Sequence, residues 1–180
     1  KVIVATNIAE SSLTINNLAF VIDSGLAKEE GFDAYADVRT LELRRISQSS
    51  AEQRAGRTGR NGPGVCVRLF SEDDLRRRSK YPDPSITRQD LTALLLAMKT
   101  LHLGKDFDFL TEPSPEQWEH AEQSLRDFGA TDNSGQLNDY GQSMAKLSLD
   151  PRLAHFVLQS IEYGCVQEAV TIAAMLTVGR

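Results

Sequence analysis

The sequence predicts an α/β region followed by a mainly helical region. Two short β-branched segments, KVIVA at 1–5 and LAFVID at 18–23, indicate buried strands of an α/β sheet. After a proline-containing stretch at 82–85, apolar residues recur at helical spacing. The first such positions are Leu91, Leu94, Leu95, Met98 and Leu101. This change of period predicts a domain boundary near residue 84.

The composition is that of an ordinary folded chain. The 180 residues are 41% hydrophobic and 25% charged, which excludes wholesale disorder. The sequence has neither an apolar run of the roughly 18–20 residues that cross a bilayer nor a signal-peptide pattern. We therefore expect an intracellular protein, in the nucleus or cytoplasm, without membrane contact. Cys66 and Cys165 have no ligand spacing around them, so we expect no metal site. Because the chain lacks an initiator Met, we expect a fragment of a longer protein.

The α/β region contains three further predicted elements. Residues 26–46 are typical of a long hairpin, with two extended arms around a polar tip at 31–37. The sequence SSAE at 49–52 is a capping box, which predicts a helix starting there. A Gly-Pro-Gly turn at 62–64 precedes the strand candidate VCVRLF at 65–70.

The region after residue 84 reads as helices around one small hairpin. The sequence predicts helices at 115–128 and 140–147, separated by the turn sequence DNSG at 132–135. Two helices and a small hairpin within about 60 residues indicate a winged-helix module. Asp150-Pro151 is a helix start signal, and another helix is predicted over 166–176.

Charge is distributed unevenly along the chain. Residues 1–84 hold 13 basic and 12 acidic residues, whereas residues 85–180 hold 7 and 13. Within 39–60, six arginines stand against only two acidic residues. Such a basic concentration suits polyanions such as phosphates. The acidic second part argues against nucleic acid wrapping the whole surface.

The sharpest feature is the octamer QRAGRTGR at 53–60. Its arginines are three positions apart and would share a helix face, while its glycines remove side-chain bulk. Guanidinium groups bind phosphoryl oxygens bidentately, and Gln53 could orient an attacking water. The alternative is a solvated helix end with surface arginines. The glycines cost about 1 kcal/mol each inside a helix, which favours polyanion binding.

The second feature, TNIAESSLTI at 6–15, directly follows the first predicted strand. Ligands of open α/β sheets bind outside the carboxyl ends of the strands. Short hydroxyl side chains and backbone N–H groups at this place suit phosphates or sugar hydroxyls. Taken alone, however, the segment favours an ordinary capped loop.

Together, TNIAESSLTI and QRAGRTGR resemble motifs V and VI of superfamily 2 helicases, in the form of the DEAH-box/RNA-helicase-A group. LDPRLAHFVLQSIEYGC and VTIAAML resemble the region that joins the winged-helix and ratchet domains of that group. The resemblance implies an α/β RecA-like lobe at 1–84, partial and with a mostly parallel sheet and a β-hairpin. It further implies a winged-helix domain at 85–149 and the first helices of an all-α ratchet domain at 150–180. The first RecA-like lobe would lie outside this sequence.

The resemblance also implies ligand contacts at the positions that match the two motifs. Gln53 would position the hydrolytic water, and Arg57 and Arg60 would contact the γ-phosphate, with Arg60 as the arginine finger. For Arg54 the resemblance leaves two roles open, a phosphate contact and a structural role.

The motif V positions divide between two ligands. Thr6, Asn7 and Ser12 are expected near the RNA sugar-phosphate backbone, and Ser12 and Thr14 link the RNA and nucleotide sites. Thr14 and Asn16 are expected at the nucleotide, although many relatives have an acid at the position of Asn16. An amide can still hydrogen-bond a ribose hydroxyl.

The implied activity is that of an ATP-dependent RNA helicase. It would use ATP with Mg²⁺, whose ligands are expected in the missing lobe, and would hold single-stranded RNA mainly by its backbone. Residues 28–46 resemble the β-hairpin that lies beside the RNA strand in the group. We also expect activator proteins on the winged-helix region and no activity from the isolated 180 residues.

Two alternatives remain open. One is a catalytically degenerate relative that binds RNA or protein without turning over ATP. The other is a plain winged-helix interaction module with an α/β appendage, which leaves the glycine-spaced arginines unexplained. Outside the motifs, we expect the basic cluster at 76–80 to be a solvated helix face and Trp118 to pack in a core.

Overall fold

The computed structural model describes residues 1–33, 38–59 and 62–178. The chain forms two compact units, which divide between Gln89 and Asp90. The predicted boundary near residue 84 thus lies a few residues before this division. The winged-helix limits at 85 and 149 stay a prediction.

The described residues of the first unit form a parallel strand pair, an antiparallel hairpin, three short α-helices and a 3-10 turn at Ser85–Thr87. In chain order these elements are α1 (Ile8–Ser11), β1 (Phe20–Asp23), β2 (Leu26–Asp33), β3 (Val38–Arg45), α2 (Gln48–Ala55), β4 (Val65–Arg68) and α3 (Glu72–Arg77). Strands β1 and β4 pair in parallel, with Phe20 opposite Val65. Strands β2 and β3 pair in antiparallel register, with Leu26 opposite Arg45. The predicted hairpin is confirmed, although the larger part of its predicted tip, residues 34–37, lies outside the described residues.

Residues 1–5 are not a strand, so this prediction is wrong. The segment is exposed, with Val2 at 89% and Val4 at 95% of their full accessible surface. A β-branched run becomes a strand only where neighbouring backbone completes its ladder. Among the described residues, no strand pairs with this segment.

Helix α2 begins earlier than the predicted capping box. Its N-cap is Ser47, whose Oγ accepts a hydrogen bond from the backbone N–H of Ser50 at 3.2 Å. Ser49 therefore lies inside the first turn, and its backbone N–H donates to the carbonyl oxygen of Lys80. The predicted start is therefore two residues too late, and the backbone contact with Lys80, which is distant in sequence, holds Ser49 within the helix.

The basic cluster at 76–80 is only partly a solvated face. Arg76 is exposed and pairs with Glu72 one turn earlier. The side chain of Arg78, in contrast, is only 6% exposed and lies over the ring of Phe70, 4.1 Å from its centroid. The prediction is therefore wrong for Arg78, because its acceptors come from residues distant in sequence.

The second unit consists of five helices among its described residues. They are α4 (Thr92–Thr100), α5 (Pro115–Asp127), α6 (Asp139–Lys146), α7 (Pro151–Glu162) and α8 (Val166–Val178). An antiparallel bridge between Thr131 and Leu137 closes the predicted turn. Asp150 caps α7 and Pro151 is its first residue, as predicted. None of the helices in the described part of the chain is long and apolar enough to cross a membrane.

The core of the second unit is apolar. Its buried side chains include Leu95, Leu125 and Met144, and Trp118 lies among them at 8% exposure. This confirms the predicted packing role of Trp118. At the start of α4, the carboxylate of Asp90 accepts hydrogen bonds from Thr92 Oγ1 at 2.6 Å and from Arg152 Nη1 at 2.8 Å.

Candidate nucleotide and nucleic-acid site

The motif V segment, residues 6–15, forms a single helical turn between exposed ends. Helix α1 begins directly after Asn7, whose carbonyl oxygen accepts from the N–H of Glu10 at 2.9 Å. Thr6 Oγ1 lies 3.5 Å from the N–H of Ile8 and provides a long hydrogen bond. The sequence analysis missed this helix, although an Asn followed three residues later by a Glu is a start signal.

The expected RNA-contacting residues of this segment are all exposed. Thr6 and Asn7 lie at its amino-terminal end, and Ser12 directly follows α1. The expected nucleotide residues Thr14 and Asn16 are also exposed. Exposure leaves these side chains accessible to ligands from solvent.

Arg54 is bound within the protein rather than presented to a phosphate. Its guanidinium donates to Glu10 Oε2 at 3.0 Å, to Asp23 Oδ1 at 2.8 Å and to the carbonyl oxygen of Leu26 at 3.0 Å. The side chain of Asp23 is fully buried and that of Arg54 is 14% exposed. Because a buried carboxylate needs a paired cation, Arg54 has the structural role left open by the sequence.

Arg57 follows helix α2 instead of extending it. The helix ends at Ala55, and residues 56–59 are turns, so Arg54 and Arg57 do not lie on one face of a continuous helix. The glycines at 56 and 59 end the helix here, which explains the difference. Arg57 donates to the carbonyl oxygens of Glu10 and, at 3.1 Å, of Leu13.

The remaining motif VI residues are placed differently. Gln53 lies on the last turn of α2 and is exposed. Arg60, the expected arginine finger, lies outside the described residues. Within the described part of the motif VI segment, residues 53–60, the amide of Gln53 is therefore exposed, whereas Arg54 and Arg57 donate hydrogen bonds to motif V.

Motifs V and VI thus form one polar assembly. Arg54 and Arg57 reach the carboxylate and the backbone carbonyls of the motif V segment. A cleft of about 430 Å³ is lined by both segments, including Thr6, Asn7 and Arg57. A group of three or more His, Cys, Asp or Glu side chains suited to a metal does not occur in the described ranges.

Comparisons with known families identify two parts of the chain. Residues 1–62 match the helicase conserved C-terminal domain, and residues 150–180 match the helicase associated domain (HA2), ratchet-like. The two matched ranges contain motifs V and VI and the helices α7 and α8, respectively.

Similar proteins cover nearly the whole chain. It is 43% identical over 180 residues to the probable ATP-dependent RNA helicase DHX34 of Homo sapiens and 37% identical over 185 residues to the ATP-dependent RNA helicase HrpA of Escherichia coli (strain K12). It is 39% identical over 181 residues to the pre-mRNA-splicing factor ATP-dependent RNA helicase prp22 of Schizosaccharomyces pombe. Each match covers 99% of this chain but only 14–16% of the relative.

Solved structures agree with these relatives. The crystal structure of the Escherichia coli DEAH/RHA helicase HrpB matches with a TM-score of 0.90 and 33% identity, over 96% of this chain and 22% of that chain. A second crystal structure, of the E. coli DExH-box NTPase HrpB, gives a TM-score of 0.87 at the same identity over 96% of this chain and 21% of that chain.

These matches confirm the resemblance to the DEAH-box/RNA-helicase-A group. Residues 1–62, which contain strand β1 of the parallel pair, match the helicase C-terminal domain, and the last two helices lie in the range that matches the ratchet-like HA2 domain. The relatives that match over the whole chain are ATP-dependent RNA helicases.

Proposed function

We propose that this chain is a segment of an ATP-dependent RNA helicase, spanning the end of the second RecA-like lobe, a winged helix and the start of the ratchet domain. The complete protein would couple ATP hydrolysis to translocation on single-stranded RNA and to unwinding or remodelling of RNA–protein complexes. The observation that carries this proposal is the arginine link between motifs V and VI. Because Arg54 and Arg57 of motif VI donate to the carboxylate and carbonyl groups of motif V, we expect a shift of either motif to move the other.

Three motif VI residues are proposed to face the γ-phosphate. Gln53 is exposed and free to orient a water, and Arg57 donates to carbonyl oxygens, which share their acceptor chemistry with phosphoryl oxygens. Arg60 is proposed as the arginine finger, with Thr14 and Asn16 at the remainder of the nucleotide. ATP supplies the phosphoanhydride bond, and the ligands of its Mg²⁺ are proposed in the other lobe.

The exposed residues Thr6, Asn7 and Ser12 are proposed to hold the RNA backbone. Hydroxyl and amide groups bind phosphate and sugar without reading bases, so little sequence specificity is expected.

We further propose that activator proteins bind the winged-helix region and that the protein is intracellular, in the nucleus or cytoplasm.

The test is the ATPase rate of the full-length protein with and without single-stranded RNA. We expect RNA to stimulate hydrolysis, and Arg60→Ala to lower kcat by at least about 10³, because an arginine finger contributes about 10³–10⁵. RNA affinity without nucleotide should change much less. An RNA-binding protein without ATPase activity would instead identify a degenerate relative.

A further inference from the structure

Residues 78–80, directly after helix α3, contact this helix, the base of the β2–β3 hairpin and helix α2. Arg78 ends this helix, and its guanidinium donates to Asp74 Oδ2 at 2.6 Å through Nη2. The same group lies over the ring of Phe70. A guanidinium that is 6% exposed and fully engaged is held in one orientation.

The other acceptors of Arg78 lie at the two sides of the hairpin base. Its Nη1 donates to the carbonyl oxygen of Gly25 at 2.8 Å and to that of Ile46 at 3.3 Å. Gly25 directly precedes β2 and Ile46 directly follows β3. The side chain of Arg78 therefore bridges the two strands at the base of the hairpin.

The backbone of the same segment binds the start of helix α2. The N–H groups of Gln48 and Ser49 donate to the carbonyl oxygens of Ser79 and Lys80, at 2.9 and 3.1 Å. The side-chain amide of Gln48 donates to the carbonyl oxygen of Arg78 at 2.8 Å. Since the first N–H groups of a helix have no partner within it, these bonds fix the position of α2.

The hairpin base also fits closely against this segment. Gly25 has a φ of +71°, and a Cβ at this position would lie 2.5 Å from the ring of Phe70 and 2.8 Å from Arg78 Nη2. Only glycine is compatible with both the left-handed backbone and this approach. The contact therefore leaves little room for the base to shift.

We propose that Arg78 is a positioning residue that fixes the β2–β3 hairpin relative to the motif VI helix α2. The hairpin would then move with motif VI when nucleotide binds or leaves, and would transmit that movement to RNA if RNA lies beside it as the resemblance to helicases implies. This inference rests on the proposed helicase function and assigns to Arg78 a part in strand separation rather than in phosphate chemistry.

A second contact supports the same arrangement from further along the hairpin. Arg88 donates to Glu29 Oε2 at 3.0 Å and to the carbonyl oxygen of Glu30 at 3.2 Å. These acceptors lie in the middle of β2, on a part of the hairpin that Arg78 does not contact. Arg88 therefore offers an independent variant.

The experiment compares Arg78→Gln with Arg76→Gln in the full-length protein. Arg76 is two residues away, is exposed, and pairs only with Glu72 among its described ion pairs, so it serves as the matched control. RNA-stimulated ATPase and duplex unwinding are measured together. In Arg78→Gln we expect ATPase within about twofold of wild type and at least about a fivefold fall in duplex unwound per ATP hydrolysed, because the phosphate-contacting groups stay in place. In Arg78→Lys we expect the amount of duplex unwound per ATP to lie between the values of wild type and Arg78→Gln, since an ammonium keeps the charge without the planar fork.

Hydrogen exchange, measured without RNA or ATP, tests the positioning independently of the helicase proposal. We expect backbone amides of β2 and β3 to exchange at least about tenfold faster in Arg78→Gln and at the wild-type rate in Arg76→Gln. An unchanged exchange rate, or a parallel loss of ATPase and unwinding, would overturn the inference.

If Arg78→Gln does not fold, Arg88→Gln decides. We then expect the amount of duplex unwound per ATP to fall by about twofold or more, and an unchanged amount would be the contrary result. A wild-type protein without RNA-stimulated ATPase would contradict the proposed function, while the exchange result would still decide the role of Arg78.

Discussion

The two compact units are stabilised internally by different kinds of contact. The second unit buries large apolar side chains between helices, such as Leu125 and Met144. Among the described residues of the first unit, the buried apolar cluster consists of Ala27, Ile46 and Ala51, with Phe70 and Leu75 packed against it. Its elements are instead joined by partly buried arginines, such as Arg54 and Arg78.

This difference indicates which unit can respond to a ligand. Apolar packing is non-directional and is not exchanged for contacts with a phosphate. Arginine bonds to carbonyls and carboxylates are directional, and a polyanion can compete for the same guanidinium. We therefore expect ligand-driven movement within the first unit and little internal movement among the helices of the second.

The largest loss of stability is expected from the apolar core. Leu125 is fully buried in α5, so Leu125→Ala should lower the local free energy of opening of the second unit by about 4 kcal/mol. Native-state hydrogen exchange of the α5 amides in the full-length protein measures this loss. Leu110, an exposed residue of the same type, provides the control, and an equal effect of Leu110→Ala would contradict the assignment of the core.

A slightly smaller effect is expected from the polar centre of the first unit. Arg54→Ala leaves the buried carboxylate of Asp23 without its cation, which should cost about 3 kcal/mol. The hydrogen-exchange rates of the β1 amides measure this loss of stability. Arg54→Ala combined with Asp23→Asn should recover part of the loss, because the uncompensated charge is removed. A double variant no more stable than the single one would argue against this electrostatic cause.

Asp90 is a half-buried carboxylate of the second unit and predicts a pH dependence. Burial raises the pKa of its carboxyl, but hydrogen bonds from Arg152 and Thr92 outweigh burial and hold the pKa below its ordinary value. The unfolded chain then binds the proton more readily, so this stabilisation is complete above the unfolded pKa of about 3.9 and is lost as pH falls through the lower folded value. Asp90→Asn should remove that part of the acid sensitivity and cost about 1–2 kcal/mol at neutral pH. Melting curves of both proteins between pH 2 and pH 7 check this, and identical pH profiles would refute it.

The comparison also separates what the sequence could predict from what it could not. The helices of the second unit follow local signals, such as Asp150-Pro151 at the start of α7, and were predicted closely. Arg54 and Arg78 could not be interpreted locally, because their partners Asp23 and Gly25 are 31 and 53 residues away. Residues 1–5 have strand-like composition, but a strand also requires a neighbour that composition does not reveal. The two motif segments could be found from their residue pattern and their ligand roles from the resemblance to helicases, whereas the termination of α2 before Arg57 required the backbone.

The most direct test of the link between motifs V and VI is the ATPase rate of Glu10→Ala in the full-length protein, measured with and without RNA. Glu10 holds Arg54 from the motif V side at 3.0 Å and is not among the residues proposed to contact phosphate. Glu52→Ala, on the exposed side of α2, is the matched control. We predict a basal rate within about twofold of wild type and at least about a fivefold loss of RNA stimulation in Glu10→Ala, since one charge-assisted contact contributes about 1.5–3 kcal/mol. Undiminished RNA stimulation in a Glu10→Ala protein with the wild-type melting temperature would contradict the coupling of the two motifs.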